Sequence, residues 1–248
     1  MICFTIKLAN RTIQANVRYE TTQHFCAEYC TQGTPDFSVT VTDEDIALER
    51  RRSEKECVLE GGQSQNFSDA VLEVTALQRK ITEQLFDYNV LVFHGSTIAV
   101  DGRAYLFTAK SGTGKSTHTH LWRKLFKEHA RMVNDDKPFL EIADKEVVAH
   151  GSPWRGKHML GERIAVPLKA ICILKRGNEN RIQRITPKEA LHSLIEQTNR
   201  PMNSEKYPKY LDMIDQICGK VEFYSLSCNM DPEAALVSYK AMSGEEKE

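Results

Sequence analysis

The nine residues Ala109-Lys110-Ser111-Gly112-Thr113-Gly114-Lys115-Ser116-Thr117 constrain this chain more than any other stretch. A β-rich run, Ala104–Thr108, leads into them, and an amphipathic segment carrying Leu121, Trp122 and Leu125 follows. The order strand, loop, helix is the setting that the phosphate-loop pattern G-x-x-x-x-G-K-[ST] requires. Every fixed position is met except the first, where Ala109 stands for glycine. A strand end has β-region backbone, which alanine accepts. In such a loop the segment Ser111, Gly112, Thr113, Gly114, Lys115, Ser116 and Thr117 binds the nucleotide. The glycines let backbone N–H groups turn in on the phosphates, Lys115 neutralises the β- and γ-phosphates, and the Ser116 hydroxyl ligates Mg²⁺. The bland alternative is an ordinary glycine turn, which the flanking elements argue against.

The remaining bulk properties exclude several classes. Lys and Arg total 33 against 34 Asp and Glu, so no electropositive field points to nucleic acid or an anionic membrane surface. Phosphate affinity must be local. No run of about 18 apolar residues occurs, and the N-terminal MICFTIKLANR lacks the basic start and apolar centre of a signal peptide, so a cytoplasmic location is expected. The 7 cysteines are an odd, scattered set, expected to be reduced thiols that mostly fill the core.

Along the chain, residues 2–8 and 12–18 suggest a hairpin turning at Ala9-Asn10-Arg11, followed by a helix over 21–31, a strand over 36–42 and a charged stretch over 43–56. This is a small N-terminal α+β region, 1–62, bounded by Gly61-Gly62-Gln63-Ser64. The main domain, 63–248, opens with a helix capped by Ser68 in which Val71, Leu72, Val74, Leu77, Ile81 and Leu85 recur at helical spacing. Strands are expected over 90–94, 96–100, 104–108, 131–134, 138–142, 145–150, 168–175 and 181–185. Helices are expected over 115–128, 187–198, 205–218 and 231–243, with a frayed tail over 244–248. The class is α/β with a mixed sheet.

A second acidic site follows the loop: Asn134-Asp135-Asp136 ends the apolar run Arg131–Val133, about twenty positions on. A strand end beside a phosphate loop is where Mg²⁺ is held, and neighbouring side chains of an extended segment point opposite ways, so the two acids divide metal binding and proton acceptance between them. With His94-Gly95 one hairpin before the loop, these motifs resemble the superfamily joining HPr kinase/phosphorylase to phosphoenolpyruvate carboxykinase, over about residues 88–175. The HPr kinase side fits better, because carboxykinases are about twice this length. The resemblance implies a mixed-sheet P-loop kinase core like the HPr kinase C-terminal domain, with ATP and Mg²⁺ as cofactors. It implies that His94 helps the acceptor site, Lys115 and Ser116 hold phosphate and metal, Asp135 supports the metal and Asp136 accepts the proton. The family's kinase also carries a glutamate two positions before an Arg-Gly pair; here Pro153 stands there, before Arg155-Gly156. That departure argues against HPr as substrate and against the reverse, phosphorylase reaction. The run Ser152-Pro153-Trp154-Arg155-Gly156-Lys157 resembles stand-alone relatives in bacterial genomes, including those linked to modified-peptide biosynthesis.

Other polar residues carry less. Arg155 and Lys157 form a cationic pair suited to charge on a transferring phosphoryl group, or are exposed charges beside a buried tryptophan. Arg200 either reaches the acceptor or ends a helix. His118 and His120, at i and i+2 of a helix, face different directions, and His24, Cys26 and Cys30 lack a further zinc-ligand pair. The reading that results is a Mg²⁺·ATP-dependent kinase acting on a hydroxyl of a peptide, protein or small molecule. Its rivals are a nucleotide sensor or scaffold without transfer and a simple NTPase. Hexamer, dimer and monomer all stay open.

Overall fold

A computed structural model describes residues 1–59 and 66–244, so the expected boundary at Gly61–Ser64 and most of the expected frayed tail lie outside the described residues. The chain divides into two units, Met1–Leu85 and Phe86–Glu248.

In the first unit β1 (Ile2–Leu8) and β2 (Arg11–Val17) form the expected hairpin, turning on Ala9 and Asn10 at φ 43° and 62°, the left-handed pair that suits the twist of a two-residue turn. The expected helix over 21–31 is shorter: α1 spans Glu20–Phe25, followed by a 3₁₀ turn at Ala27–Tyr29. Strand β3 (Phe37–Thr40) lies parallel to β2, and the charged stretch becomes α2 (Asp43–Leu59). Helix α3 (Asp69–Leu85) belongs here and not to the main domain. A buried charge explains why. The fully buried Glu73 carboxylate accepts hydrogen bonds from the N–H groups of Arg18 (2.6 Å) and Tyr19 (3.1 Å) and from the Thr22 hydroxyl (2.5 Å), so α3 supplies the cap that α1 lacks. Arg79 and Lys80 of α3 pair with Asp45 of α2, each at 2.8 Å. Leu72, Leu77, Ile81 and Leu85 are buried as their spacing predicts, whereas Val71 is exposed, one position off the stripe.

The second unit is built on one nine-stranded mixed sheet. Its strands are β4 (Val90–Val92), β5 (Ser96–Val100), β6 (Arg103–Thr108), β7 (Ala130–Asn134), β8 (Phe139–Ile142), β9 (Val147–His150), β10 (Ala165–Arg176), β11 (Arg181–Ile185) and β12 (Glu222–Cys228). Helix α4 (Lys115–Phe126) follows β6, α5 (Pro187–Gln197) and α6 (Tyr207–Lys220) follow β11, and α7 (Glu233–Ser243) follows β12. Strand β12 was not foreseen. It runs parallel to β10 and antiparallel to β11, so the order around the loop reads β12-β10-β6-β5-β7.

Period-two alternation gives this sheet two apolar faces. Ala104 and Leu106 of β6 join Leu194 of α5 and Tyr210, Met213 and Ile217 of α6, while Tyr105 and Phe107 join Trp122 of α4 and Tyr239 of α7. Strand β6 is thus sealed on both sides, which fixes where its C-terminal end emerges. Of the seven cysteines, all free, Cys26 and Cys172 are buried and Cys218 and Cys228 are half-buried against the core clusters, whereas Cys3 and Cys30 are exposed.

Glu73→Ala would leave two backbone donors and a hydroxyl in the first unit without their acceptor. An order of about 3 kcal/mol of stability should be lost, read as a lower urea midpoint, and an unchanged midpoint would remove Glu73 from the account of α1 and α3.

Candidate functional site

The loop leaves β6 after Thr108 and enters α4 at Lys115. Gly112 and Gly114 adopt φ of 74° and 125°, which lets the backbone reverse without a Cβ clash. Gly114 caps α4 without a side-chain hydrogen bond, so the first-turn N–H groups are left for an anion. Ala109, buried and not in the left-handed region, needs no glycine there. Its carbonyl accepts a hydrogen bond from Lys115 Nζ at 3.1 Å.

The acids stand just past the end of β7. Asp135 is 5% exposed, and its Oδ1 accepts a hydrogen bond from Ser96 Oγ at 2.6 Å. Since the Ser96 proton goes to the carboxylate, the Thr119 hydroxyl, 2.8 Å from Ser96 Oγ, is the donor of that second bond. A buried chain of hydroxyls therefore ties Asp135, just past β7, to the first turns of the helix that begins with Lys115. Asp136 is half-buried, with Oδ1 3.4 Å from His94 Nε2. Burial pushes its carboxyl above the usual carboxylate range, opposed by Lys137 and Lys115 and reinforced by Asp135. Burial, then Lys137 and Lys115, hold the His94 imidazole down to about 3, so the contact joins a neutral ring to a carboxylate and is not an ion pair. Burial also lowers Lys115 below the usual amine range; Asp136 and Asp135 oppose that and Lys137 adds to it. Lys115, Asp135 and Asp136 thus share one electrostatic neighbourhood.

Asn134, fully buried, organises this turn. Its Oδ1 accepts from the N–H groups of Asp136 (2.8 Å) and Lys137 (2.7 Å), and its Nδ2 donates to the carbonyl and hydroxyl oxygens of Ser152 (3.1 and 3.0 Å). Arg155 Nε donates to the same Ser152 carbonyl at 3.4 Å, and Trp154 stacks on Phe139 with centroids 5.9 Å apart. A Cβ placed on Gly156 would stand 3.1 Å from Asp136 Cβ, so the Ser152–Gly156 loop packs directly on the outer acid.

The expected cationic pair is split: Arg155 is buried, whereas Lys157 is exposed and, like the exposed Arg200, lies outside the hydrogen-bond network of the acids. Ser111, Gly112 and Thr117 are exposed at the loop, while Thr113, Gly114 and Ser116 are half-buried. His118 is a core residue, with Nε2 3.0 Å from Ser238 Oγ and its ring against Phe107. Ser96, Thr119 and Lys137 were not singled out by the sequence. Ser96 directly follows His94-Gly95 and Lys137 directly follows the acids, but only the packing of α4 on β5 brings Ser96 and Thr119 together.

For a divalent cation the donors fit. Asp135 Oδ2 and the Ser116 hydroxyl take no hydrogen bond from the described residues, so both oxygens are unspent. No group of three or more His, Cys, Asp or Glu suited to a metal occurs among the described residues.

The family model described as SynChlorMet cassette protein ScmC matches residues 57–233, more than half of the 248-residue chain. The chain belongs to the ScmC family. No curated protein matches it. Among solved structures, this ScmC-family chain is similar to the Hpr(Ser) kinase/phosphatase from Coxiella burnetii, with 12% identity, a TM-score of 0.36, and coverage of 62% of this chain and 98% of that one. Among the described residues no helix is long and apolar enough to cross a membrane.

The histidines give a pH signature. His94 at about 3 and His118 at about 4 lie below the ordinary 6.5, so the unfolded chain takes up protons first as pH falls. Their contribution to stability is present above about 6.5 and is lost between there and the folded values, at up to about 1.4 kcal/mol per pH unit for each ring. Imidazole NMR signals of both should keep the neutral form at pH 5. A protonated ring at that pH would contradict the burial argument.

Proposed function

We propose that this chain is a Mg²⁺·ATP-dependent kinase that transfers the γ-phosphoryl group to a hydroxyl of a peptide, protein or small molecule. The observation that carries the reading is the buried hydroxyl pair Ser96 and Thr119, which links Asp135 to the helix that Lys115 begins. The resemblance of His94-Gly95, the glycine-lysine loop and Asn134-Asp135-Asp136 to HPr kinase motifs supports it independently.

In this mechanism the first-turn N–H groups of α4 and the Lys115 ammonium hold the β- and γ-phosphates. Ser116 and Asp135 would hold Mg²⁺, which supplies charge neutralisation on the phosphate oxygens. Asp136 removes the proton from the acceptor hydroxyl as its oxygen bonds to the γ-phosphorus, and the bond to the β-bridging oxygen breaks to release ADP. Neutral His94 orients the Asp136 carboxylate without cancelling its charge. Arg155 adds positive charge at the transferring group, and Lys157 and Arg200 are available to substrate at the rim.

Lys115→Ala should abolish nucleotide binding or turnover. Asp136→Asn should keep nucleotide binding and lower transfer by about 10² to 10⁴-fold. Labelled γ-phosphate followed into candidate acceptors checks both, and transfer unaffected by either change sinks the assignment. Phosphate released to water alone would mark an NTPase, and intact bound ATP a sensor. Because Asp136 works as a carboxylate and its pKa lies above the ordinary 3.8, transfer should fall as pH drops through that raised value. The acid limb should disappear in Asp136→Asn, so a limb that persists unchanged assigns the base elsewhere.

A further inference from the structure

The segment that carries His94 is held between two neighbours. On one side the N–H groups of Phe93 and Gly95 donate to the carbonyls of Pro138 (3.1 Å) and Asp136 (3.0 Å), and on the other the His94 N–H donates to the carbonyl of Gln197, the last residue of α5, at 2.6 Å. Alternate N–H groups thus join the acids to the end of α5 through His94. A cavity of about 460 Å³ opens beside this seam, between α5, the start of the phosphate loop and the end of β10. Two of its lining residues bond to His94: Gln197, and Thr108, whose hydroxyl donates to the His94 carbonyl at 3.0 Å. Ala109, whose carbonyl holds the Lys115 ammonium, lines it as well. The cavity on the α4 side of the loop is lined by no described residue of α5 and by none that bonds to His94. Lys110, Lys175 and Arg176 bring three cations to the cavity beside α5. Against them stands Glu196, the one acid among the described lining residues, with its carboxylate 3.2 Å from His192 Nε2.

We propose that this cavity receives the phosphoryl acceptor, and that the acceptor is a small alcohol carrying a negative group, its hydroxyl at the Gln197–His94 end and its charge among Lys110, Lys175 and Arg176. The proposal rests on the kinase reading above and names its substrate class. The volume lies in the range of small-ligand sites. Held this way, the acceptor oxygen bonds to the γ-phosphorus, its proton passes to Asp136, and the β-bridging oxygen leaves with ADP. A carboxylate or phosphate among the three cations gains charge-assisted hydrogen bonds that a neutral alcohol of the same shape lacks.

The test gives the full chain Mg²⁺, γ-labelled ATP and matched alcohols: N-acetylserine against N-acetylserinamide, and glycerate and glycerol 3-phosphate against glycerol. The charged member of each set should take label with a kcat/KM about tenfold or more above its neutral partner. This comparison uses the unaltered chain, so it does not depend on a variant folding. Lys175→Glu, at an exposed position, should remove the preference by raising KM for the charged alcohols with little change in kcat. Ser193→Trp, which fills the cavity from α5, should lower transfer to every alcohol and leave the Kd for ATP unchanged. Equal transfer to charged and neutral alcohols, a preference that survives Lys175→Glu, or label that passes only to a peptide or protein overturns the cavity assignment while the kinase stands. Label that enters no acceptor at all overturns the kinase reading with it.

Discussion

The side-chain amide of Asn134 is the constraint from which the rest of the site follows. A buried amide must satisfy both its ends, and this one does so by accepting from two successive backbone N–H groups and donating to two oxygens of one serine. The first pair bends the chain after β7 so that Asp135 and Asp136 leave in different directions. The second brings Ser152, and with it Arg155, to the same turn. An apolar residue of similar size would leave several buried polar groups without partners at once, a cost concentrated where the two acids are aimed.

Consequences of that bend appear in the unequal surroundings of the acids. Asp135 is sealed and held by a serine hydroxyl, whereas Asp136 is partly open beside a neutral imidazole. Lys137, Lys115 and Asp135 act on Asp136 in opposing senses, and burial decides the direction. Two chemically identical side chains at adjacent positions thus sit in different surroundings, and burial raises the carboxyl pKa of Asp136.

Much of this was legible in the sequence. The glycines and lysine of the loop, its flanking strand and helix, and most of the elements after Val90 follow from local patterns whose physical requirements are strict. Helix α5 is an instance, since Thr186, Pro187 and Glu189 supply a capping box and a proline at its start. What escaped depends on partners far along the chain. Strand β12, with serines at 225 and 227 and a glutamate at 222, has no clean alternation, and it becomes a strand because β10 and β11 offer it two edges. The assignment of α3 to the first unit turns on a carboxylate that caps a helix some fifty residues earlier, which no local pattern encodes. Likewise Ser96 and Thr119 look like filler hydroxyls until the packing of α4 on β5 brings them together.

Gly156, at φ +68° and in contact with Asp136, makes the spacing of this site depend on the absence of an atom. A single methyl group there would be strained in its backbone and would crowd the outer acid, shifting the carboxylate relative to His94 with no charge altered. A chain that differs at this position can therefore keep every ionisable residue and still differ in where its outer acid sits.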